Sequence, residues 1–548
     1  TILLHCIRSL VPKYLINRMD IERATILRQI RENEIQELVV TKIVARLICD
    51  SPQELVSALQ QNTSIENCSV ILRFLDPERI QWEHQVQFLQ AIASLASLKE
   101  FRFATTSSGF TDSALRLLTV VLNGCSKLEK LTFQTIQLNR GGLTSEVYSN
   151  GAEVLSEFRG ALSKQTSLET LSLDGTDERF DFCGVMEVIQ SLPSARHIYL
   201  KAQAVTNRYD RKAMEGLLQS RTDTASTLSI KRFLMPDLLS PYFSLLASNT
   251  TLLDLCLEQV GVDDGGCSIL AQSLSQNSTL EKLSLAYNGL SDATACVMFS
   301  SLKRNAGLTD LNLAGNFLST DSCQALADLL GDSSSLSTLT TLNLAQNILI
   351  RDDGACIIAS ALAVDKRIKH LNLSETRLAK VASALLEVTL ASNHTLERLN
   401  LSKNSLGESG AAHMANLLRV NETLLHLNLN DTKIGPKGSE ALSKALTEEN
   451  DTLVSLNLGR NSMILSPKYF EAMILSNCTL QHLWLPSNLL ENDSPIPIFL
   501  KLNKFGRRRM LQERNNSSLW KSALVEFACD LRVSYYLLRM NPAIISWI

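Results

Sequence analysis

The stretch SNHTLERLNLSKNSLGESGAAHMANLLRVNETLLHLNL, residues 392–429, contains two copies of one pattern. NHTLERLNL at 393–401 returns 28 residues later as NETLLHLNL at 421–429. Both copies begin with Asn-x-Thr, the acceptor pattern for N-linked sugar. The asparagine therefore belongs either to a glycosylated surface or to the architecture of a repeat, and the two interpretations predict different proteins.

The pattern recurs along the chain as Leu-x-x-Leu-x-Leu-x-x-Asn. Its copies are 27 to 31 residues apart, and three of them hold Thr or Val in the last place. They start at Leu252, Leu280, Leu308, Leu339, Ile368, Leu396, Leu424, Leu453 and Leu480. A weaker form with a similar period starts at Ile35, Ile65, Leu98, Leu128, Leu168, Ala195 and Ala225. We count sixteen units, and self-similarity at a nearly constant period predicts a solenoid.

Each unit predicts one short strand followed by one helix. Leu399 and Leu401 alternate with polar neighbours, as in a strand with one buried face. The stretch GAAHMANLL at 410–418 places Met414 and Leu417 on one face of a helix. Stacked units bury both apolar faces, and helices about 9 Å apart beside strands about 4.8 Å apart must bend the stack. We therefore predict an α/β horseshoe with a parallel sheet on its concave side and α-helices on its convex side.

These motifs, with Gly-Gly or Gly-Ala before the helix as at Gly265 and Gly410, resemble the leucine-rich repeats of the ribonuclease-inhibitor-like class. The resemblance covers residues 35–490. It implies a fold that hosts inhibitors, receptor sensor domains, scaffolds and a GTPase-activating protein, so it implies no single function. Because an open solenoid exposes apolar ends, we predict an N-terminal helical cap at 1–34 and a C-terminal helical cap at 491–548.

The two predicted caps carry helix signatures of their own. Residues 20–33 predict a helix with Asp20 as its N-cap and with Leu27 and Ile30 turned inward. Residues 519–540 predict one helix, which Asn541-Pro542 ends. Its apolar stripe consists of Trp520, Leu524, Phe527, Leu531, Tyr535 and Leu538. The run from LNKFGRRRML to SSLWKSALVEFACD is similar to the tails of uncharacterised microalgal leucine-rich-repeat proteins, a resemblance that implies no function.

Composition and the placement of asparagine and cysteine narrow the class of protein. The chain is 45% hydrophobic with a net charge of −3, so we expect no nucleic-acid partner. It contains no apolar run long enough to span a membrane.

Seven Asn-x-[Ser/Thr]-[Leu/Ile] sites stand three residues before the first apolar residue of a strand: Asn62, Asn249, Asn277, Asn393, Asn421, Asn450 and Asn477. We expect these asparagines to adopt the left-handed conformation and satisfy loose carbonyls at helix ends, with glycosylation as the alternative.

Four cysteines recur where successive helices start: Cys267, Cys296, Cys323 and Cys356. Neighbouring helices about 9 Å apart hold equivalent residues too far apart for a disulfide. We interpret these cysteines as free, buried thiols. Free thiols are typical of reducing compartments, so we predict an intracellular and mainly cytoplasmic protein.

The sequence lacks the constellations typical of an active site or a metal centre. It contains no phosphate-binding Gly-x-x-x-x-Gly-Lys, no His-Glu-x-x-His, no Cys-x-x-Cys and no Gly-x-Ser-x-Gly. His370, His426 and His482 share one strand position in different units, but Arg398 lies between the first two and repels a cation. We therefore predict no enzyme, no cofactor and no bound metal.

The middle exposed position of the strands is asparagine in six successive units: Asn312, Asn343, Asn372, Asn400, Asn428 and Asn457. We expect this uniform row to form an amide ladder along the sheet that contributes stability. Recognition is expected where the row is broken, at Trp484 beside His482. The alternative is that Trp484 packs beneath the C-terminal cap. The candidate partner-binding residues are Trp484, His482, His426, Arg398 and His370 near one end, and Tyr199, His197, Lys201, Lys231, Asp254 and Glu258 near the other.

The leading functional hypothesis is a non-enzymatic scaffold that binds a protein partner in its concave sheet. A regulator of a small GTPase, such as a GTPase-activating protein, is the first alternative. It is disfavoured because the resembling GTPase-activating family has an acidic tail, whereas this chain ends in a basic, aromatic one. A ligand-sensing receptor ectodomain is the second alternative, and the free thiols disfavour it.

The basic run at 501–514 is either a solvated helix face or a nuclear or phosphate-binding segment. Residues 138–151 are a predicted insertion loop.

Overall fold

The structure is a computed structural model and describes most of the chain. The described residues are 24–39, 51–71, 81–105, 112–135, 152–176, 194–206, 224–461, 467–486, 494–527 and 530–541, with 44, 47, 48, 50, 189, 192, 215, 216, 218 and 219. The chain forms two compact units, Thr1–Gly261 and Val262–Ile548. Strands follow one another in chain order, and each paired neighbour is parallel.

The first unit contains eight strands and, in its described ranges, helices between several of them. Its strands are β1 Glu37–Val39, β2 Asn67–Ile71, β3 Glu100–Thr105, β4 Lys130–Thr135, β5 Thr170–Thr176, β6 His197–Thr206, β7 Thr227–Phe233 and β8 Asp254–Glu258. Its helices are α1 Pro52–Gln60, α2 Trp82–Ala93, α3 Asp112–Gly124, α4 Ala152–Ser163 and α5 Pro236–Leu245, followed by a 3-10 turn at Leu246–Ser248. Register pairs Phe101 with Leu131 and Phe103 with Phe133. The rings of Phe103 and Phe133 lie 6.0 Å apart in the core.

The second unit is more regular. Its strands are β9 Lys282–Ser284, β10 Asp310–Asn312, β11 Thr341–Asn343, β12 His370–Asn372, β13 Arg398–Asn400, β14 His426–Asn428, β15 Ser455–Asn457 and β16 His482–Trp484. Its repeat helices are α6 Asp264–Leu274, α7 Asp292–Leu302, α8 Thr320–Leu330, α9 Arg351–Leu362, α10 Lys380–Leu390, α11 Gly407–Val420, α12 Gly435–Glu448 and α13 Pro467–Ser476. The C-terminal helices are α14 Ile496–Phe505, α15 Arg507–Gln512, α16 Ser517–Glu526 and α17 Leu531–Met540. The predicted α/β solenoid with about sixteen parallel strands is confirmed.

A left-handed residue follows each of the strands β9 to β15 and turns the chain toward the core. In the unit of β13 it is Lys403, with φ of 57°, and the next residue, Asn404, is buried. The equivalent residues are Tyr287, Gly315, Gln346, Glu375, Asp431 and Arg460. A positive φ costs a residue with a side chain about 1 kcal/mol, so the contacts made by the following residue, which is buried in most of these units, must offset it.

An asparagine ladder joins the units at that buried position, the last place of the repeat pattern. Asn404 Nδ2 donates to the carbonyl of Leu373 in the preceding unit at 2.8 Å and to its own Leu401 carbonyl at 2.9 Å. Its Oδ1 accepts from the backbone N of Leu378 at 3.0 Å. Asn316, Asn347 and Asn461 make the same pattern of bonds. The ladder thus satisfies buried backbone groups that a short strand leaves unpaired.

The sequon asparagines also connect successive units. Asn393 Nδ2 donates to the Leu362 carbonyl at the end of the preceding unit's helix, at 2.7 Å. Its Oδ1 accepts from the Leu396 backbone N at 2.8 Å. The expectation that these amides satisfy helix carbonyls is confirmed. The expected left-handed conformation is wrong, because Asn421 is extended at φ of −85° and ψ of 125°, so the side chain reaches the neighbouring unit's carbonyl.

All eight cysteines in the described ranges are free. Cys267 and Cys323 are buried, and burial raises the pKa of each thiol to about 12. Cys296 and Cys356 are only partly buried, so the prediction that all four recurring thiols are buried is wrong for these two. Burial differs because the four cysteines do not lie at the same position in their helices.

The terminal helices differ in detail from expectation. Residues 24–31 are helical, and Leu27 and Ile30 are buried as predicted, whereas Asp20 lies outside the described residues. The helix predicted at 519–540 is two helices, α16 and α17, because the Asp530 carboxylate caps a new start by accepting from the Val533 backbone N at 3.3 Å. Trp520 is fully buried but Tyr535 is 60% exposed, so the predicted continuous apolar stripe does not form.

The C-terminal helices contact the last repeat through polar groups. Asn503 Nδ2 donates to the carbonyls of Asn477 and Leu480 at 3.0 and 2.8 Å. The buried Arg507 guanidinium donates to the Ile474 carbonyl at 2.8 Å and lies 4.3 Å from the centre of the Phe499 ring. The limits 1–34 and 491–548 for the caps stay a prediction. None of the helices in the described ranges has the length and apolar character that crossing a membrane requires.

We predict that Asp292 makes part of the stability of the second unit depend on pH. Burial acts to raise its pKa, but hydrogen bonds from Ser319 Oγ, at 2.6 Å, and from Ser322 outweigh it, so the pKa lies below its ordinary value. A lowered carboxyl pKa contributes stability above the unfolded-state value of about 3.9 and loses it as pH falls through the folded-state value. Asp292→Asn should therefore cost about 1 kcal/mol at neutral pH, discounted for solvent exposure, and progressively less below about pH 4.

Urea unfolding across this pH range checks the prediction. The control is Asp353→Asn, since Asp353 is an exposed first-turn aspartate of α9. An equal loss in both variants would assign the effect to the helix dipole rather than to the bonds between units.

Candidate functional site

The polar face of strands β11 to β16 in the second unit borders a groove of about 460 Å³. Two rows of side chains line it, one from the first and one from the third residue of each strand. Register places the rows side by side across neighbouring strands, which lie about 4.8 Å apart. The groove therefore brings together residues that are 28 or more positions apart in the chain.

The first row contains the predicted basic cluster. His370 is opposite Arg398, and Arg398 is opposite His426. Ser455, which sequence reasoning missed, separates His426 from His482. Ser455 is the first residue of β15, and this position in the repeat could have identified it. Arg398 is exposed, and its side chain makes no hydrogen bond or ion pair with any residue in the described part of the chain.

The two inner histidines are held in their neutral form. Burial, followed by the positive charge of Arg398, lowers the pKa of His370, although Glu397 at 4.0 Å acts in the opposite direction. Burial, Arg398 and then His482 lower the pKa of His426. Since the ordinary histidine pKa is about 6.5, both rings are neutral at pH 7. Arg398 is then the fixed positive charge between them.

The second row is not the amide ladder that the sequence predicts. Asn400 Oδ1 accepts from the backbone N of Ser402, two residues further on, at 3.1 Å. The same short loop forms at Asn343, Asn372, Asn428 and Asn457. Asn312 alone among the described members of the row also bonds across strands, from Nδ2 to Ser284 Oγ at 3.0 Å. The other Nδ2 groups donate no hydrogen bond within the described residues and remain available to the groove.

Trp484 ends the second row beside Asn457. Its side chain is 51% exposed. The His482 ring stacks against the indole with centroids 5.7 Å apart and planes 12° apart. Trp484 therefore presents an aromatic surface to the groove.

The other candidate residues lie in the first unit and are largely paired. Lys231 Nζ lies 2.6 Å from Glu258, and Lys201 Nζ lies 3.2 Å from Asp174. His197 Nδ1 is 3.1 Å from Thr227 Oγ1, while Tyr199 is 40% exposed. Asp254 is opposite Thr227 in β7. The structure thus joins Lys231 to Glu258 and gives Lys201 a carboxylate that the sequence argument did not include.

The basic run at 501–514 is mostly engaged in contacts. Lys501 pairs with Asp530 at 2.8 Å, Arg508 with Asp451 at 2.7 Å and Arg509 with Glu513 at 2.8 Å. Arg507 is buried. Neither a wholly solvated face nor a free basic patch describes this segment, because three of its charges are paired with carboxylates and Arg507 is buried. The predicted insertion loop at 138–151 lies outside the described residues.

Comparison with known proteins finds a family model that matches three stretches of the second unit. A family model described as Leucine Rich repeat matches residues 276–293, 392–415 and 420–443. Together with the parallel strands, these matches support leucine-rich repeats in the second unit. No curated protein matches the chain. In the described part of the chain, no group of three or more His, Cys, Asp or Glu residues is arranged to hold a metal ion.

Two solved structures align with the chain at low TM-scores. Leiomodin-1 actin-binding site 2 aligns at 22% identity over 30% of this chain and 96% of that chain, with a TM-score of 0.26. A complex of Rad7 and Elc1 from yeast aligns at 13% identity over 90% of this chain and 94% of that chain, with a TM-score of 0.36. At these TM-scores neither alignment supports an inference about fold or function.

Proposed function

We propose that the chain is a non-enzymatic scaffold that binds a protein partner in the groove of its second unit. One observation supports this most directly: Arg398, exposed and without a carboxylate partner in the described residues, shares the groove with the half-exposed Trp484. Tryptophan and arginine are the residue types most enriched among interface hot spots. The binding set comprises Trp484, His482, His426, Arg398 and His370.

The composition of the groove favours a polypeptide over a small molecule. Small-molecule sites are usually concave pockets with only a few polar groups, whereas this groove is open and asparagine, histidine and arginine make up eight of its fifteen lining residues. The candidate residues in the first unit contribute less to the proposed binding. Its lysines already hold carboxylates and so offer less free charge to a partner. Tyr199 and His197 form its remaining contact surface.

Crosslinking followed by mass spectrometry in cells of the native source tests the proposal. Wild type is compared with Arg398→Glu and with Lys444→Glu, which makes the same charge change on the exposed side of α12. We expect partner crosslinks to depend on the groove, with at least a tenfold loss, roughly 1.4 kcal/mol, for Arg398→Glu and little change for Lys444→Glu. Equal recovery with both variants would place binding elsewhere.

We further propose that the protein is intracellular, because the eight described cysteines are free and the sequon amides are engaged with backbone groups. The protein from its native source, unfolded without reductant, should titrate as twelve thiols, the full cysteine content. Glycosidase treatment should leave its mass unchanged. A glycosidase-sensitive mass, or about four or more disulfides, contradicts the proposed compartment.

A further inference from the structure

The groove offers many more hydrogen-bond donors than acceptors. The Oδ1 atoms of its asparagine row are already engaged by backbone N–H groups, whereas the Nδ2 atoms of Asn400, Asn428 and Asn457 are not. Arg398 adds the five N–H donors of a guanidinium. An occupant that satisfies this surface must supply oxygen acceptors and negative charge.

The carboxylates nearest this surface do not neutralise it. Glu397 lies 3.1 Å from Lys369 Nζ and is already paired. Asp310 acts on His370 from two strands away, and Thr309 Oγ1 donates to it at 2.8 Å. The region around Arg398 therefore stays positive, and guanidinium groups bind carboxylates with two parallel hydrogen bonds.

We propose that the groove binds an extended acidic segment of the partner, with a carboxylate on Arg398 and an aromatic side chain against Trp484. This rests on the proposed function and specifies the chemistry of the partner. The asparagine Nδ2 groups between these two anchors donate to the segment's backbone carbonyls. Three strand spacings and two residues along the strand separate the anchors by about 16 Å, which an extended segment spans in about five residues.

The histidines beside Arg398 make this binding depend on pH. His370 faces Arg398, Glu397, Asp310 and Lys369, and His426 faces Arg398, His482, His370 and Glu397. In the free protein both rings are neutral at pH 7, because burial and Arg398 lower their pKa. A bound carboxylate stabilises the protonated ring, so binding takes up protons and strengthens as pH falls below about 6.5.

Fluorescence anisotropy with synthetic peptides tests the partner chemistry on the full chain. The probes are fluorescein-labelled peptides of about twelve residues in a Gly-Ser-Thr background, each with an Asp-Glu pair and one Phe. The separation of the pair from Phe varies from about two to about eight residues. We expect the tightest binding at about five residues and at least a tenfold loss when Asp-Glu is replaced by Lys-Lys. No spacing bound with a Kd below about 1 mM overturns the proposal.

Matched variants locate the binding. Arg398→Ala and Trp484→Ala should each weaken the best probe at least tenfold, while Lys444→Ala should leave it unchanged. Arg398→Lys should recover only part of the loss, because an ammonium cannot form the paired hydrogen bonds of a guanidinium. Equal affinity of all variants overturns the assignment to the groove.

The pH arm uses the same probe at about pH 7.5 and about pH 5.5, on either side of the ordinary histidine pKa. We expect about fivefold tighter binding at the lower pH for wild type and little change for the His370→Gln, His426→Gln double variant. The same pH response in both proteins overturns the role of the histidines.

If crosslinking to the native partner depends on Arg398 while no peptide binds, the scaffold function stands and the acidic-segment chemistry fails. If neither depends on Arg398, both fail.

Discussion

Asn347→Ala should lower the free energy of unfolding of the second unit by about 3 kcal/mol. The side chain is fully buried, and its Nδ2 donates to the carbonyls of Leu313 and Leu344 at 3.0 and 2.9 Å. Its Oδ1 accepts from the Leu318 backbone N at 3.2 Å. Alanine leaves these backbone groups buried without partners, and each such group costs about 1–3 kcal/mol, with partial relief from water or relaxation. Urea unfolding measures the loss, and faster hydrogen exchange at the Leu318 amide locates it.

Two matched variants separate the two asparagine rows. Asn343→Ala removes a partly exposed amide of the same unit that accepts one hydrogen bond, from the Ala345 backbone N at 3.1 Å, so its cost should stay near 1 kcal/mol or below. Asn347→Thr imitates Thr376, whose hydroxyl donates to the Leu373 carbonyl at 2.7 Å, and should have an intermediate cost. Equal losses for Asn343→Ala and Asn347→Ala would show that the ladder is not the joint between units.

Trp484→Ala should weaken partner binding by about 2 kcal/mol or more, roughly thirtyfold, while changing the free energy of unfolding by less than about 1 kcal/mol. Half of the indole is already in water, and its stacking partner is the exposed His482. Removing the indole therefore removes more contact with the partner than packing within the protein. Binding is measured with the crosslinked partner once purified, and unfolding is measured in urea.

Aromatic residues elsewhere in the second unit provide the controls. Tyr535→Ala removes a 60% exposed aromatic of α17, outside the groove lining, and should leave binding unchanged. Trp520→Ala removes a fully buried indole and should cost about 3–5 kcal/mol of stability. A stability loss for Trp484→Ala as large as that of Trp520→Ala is the result expected if the indole belonged to the C-terminal packing.

The two asparagine rows show where sequence reasoning ended. Asn400 and Asn404 recur with the same period, so periodicity alone could not decide which of them joins the units. The left-handed residue Lys403 lies between them and reverses the chain, which turns Asn404 inward and leaves Asn400 on the groove. The repeat pattern predicts the ladder at the row of Asn400, whereas the row of Asn404 forms it. The correct row became evident once the direction of the turn was known.

The candidate site was only partly predictable for a similar reason. Strand alternation placed His370, Arg398, His426 and Trp484 on one face, because side chains of a strand point alternately to its two sides. Alternation did not reveal that Lys231 and Lys201 already hold carboxylates. Ion pairs between strands depend on side-chain reach across the sheet, which a single strand's pattern does not contain.

The sequence by itself determined the repeat, the alternation of strand and helix in the described part of the second unit, the apolar positions of the core and the broken end of the asparagine row. These are consequences of spacing along one chain, since a period of about 28 residues and an alternation of two hold wherever the unit is placed. Only the tertiary structure decided which amides meet carbonyls of the neighbouring unit, which charges are already paired and how much of Trp484 remains in water. Those properties depend on the neighbours of a residue in space. The neighbouring unit, some 28 residues away in the chain, buries the residue and supplies its hydrogen-bond partners.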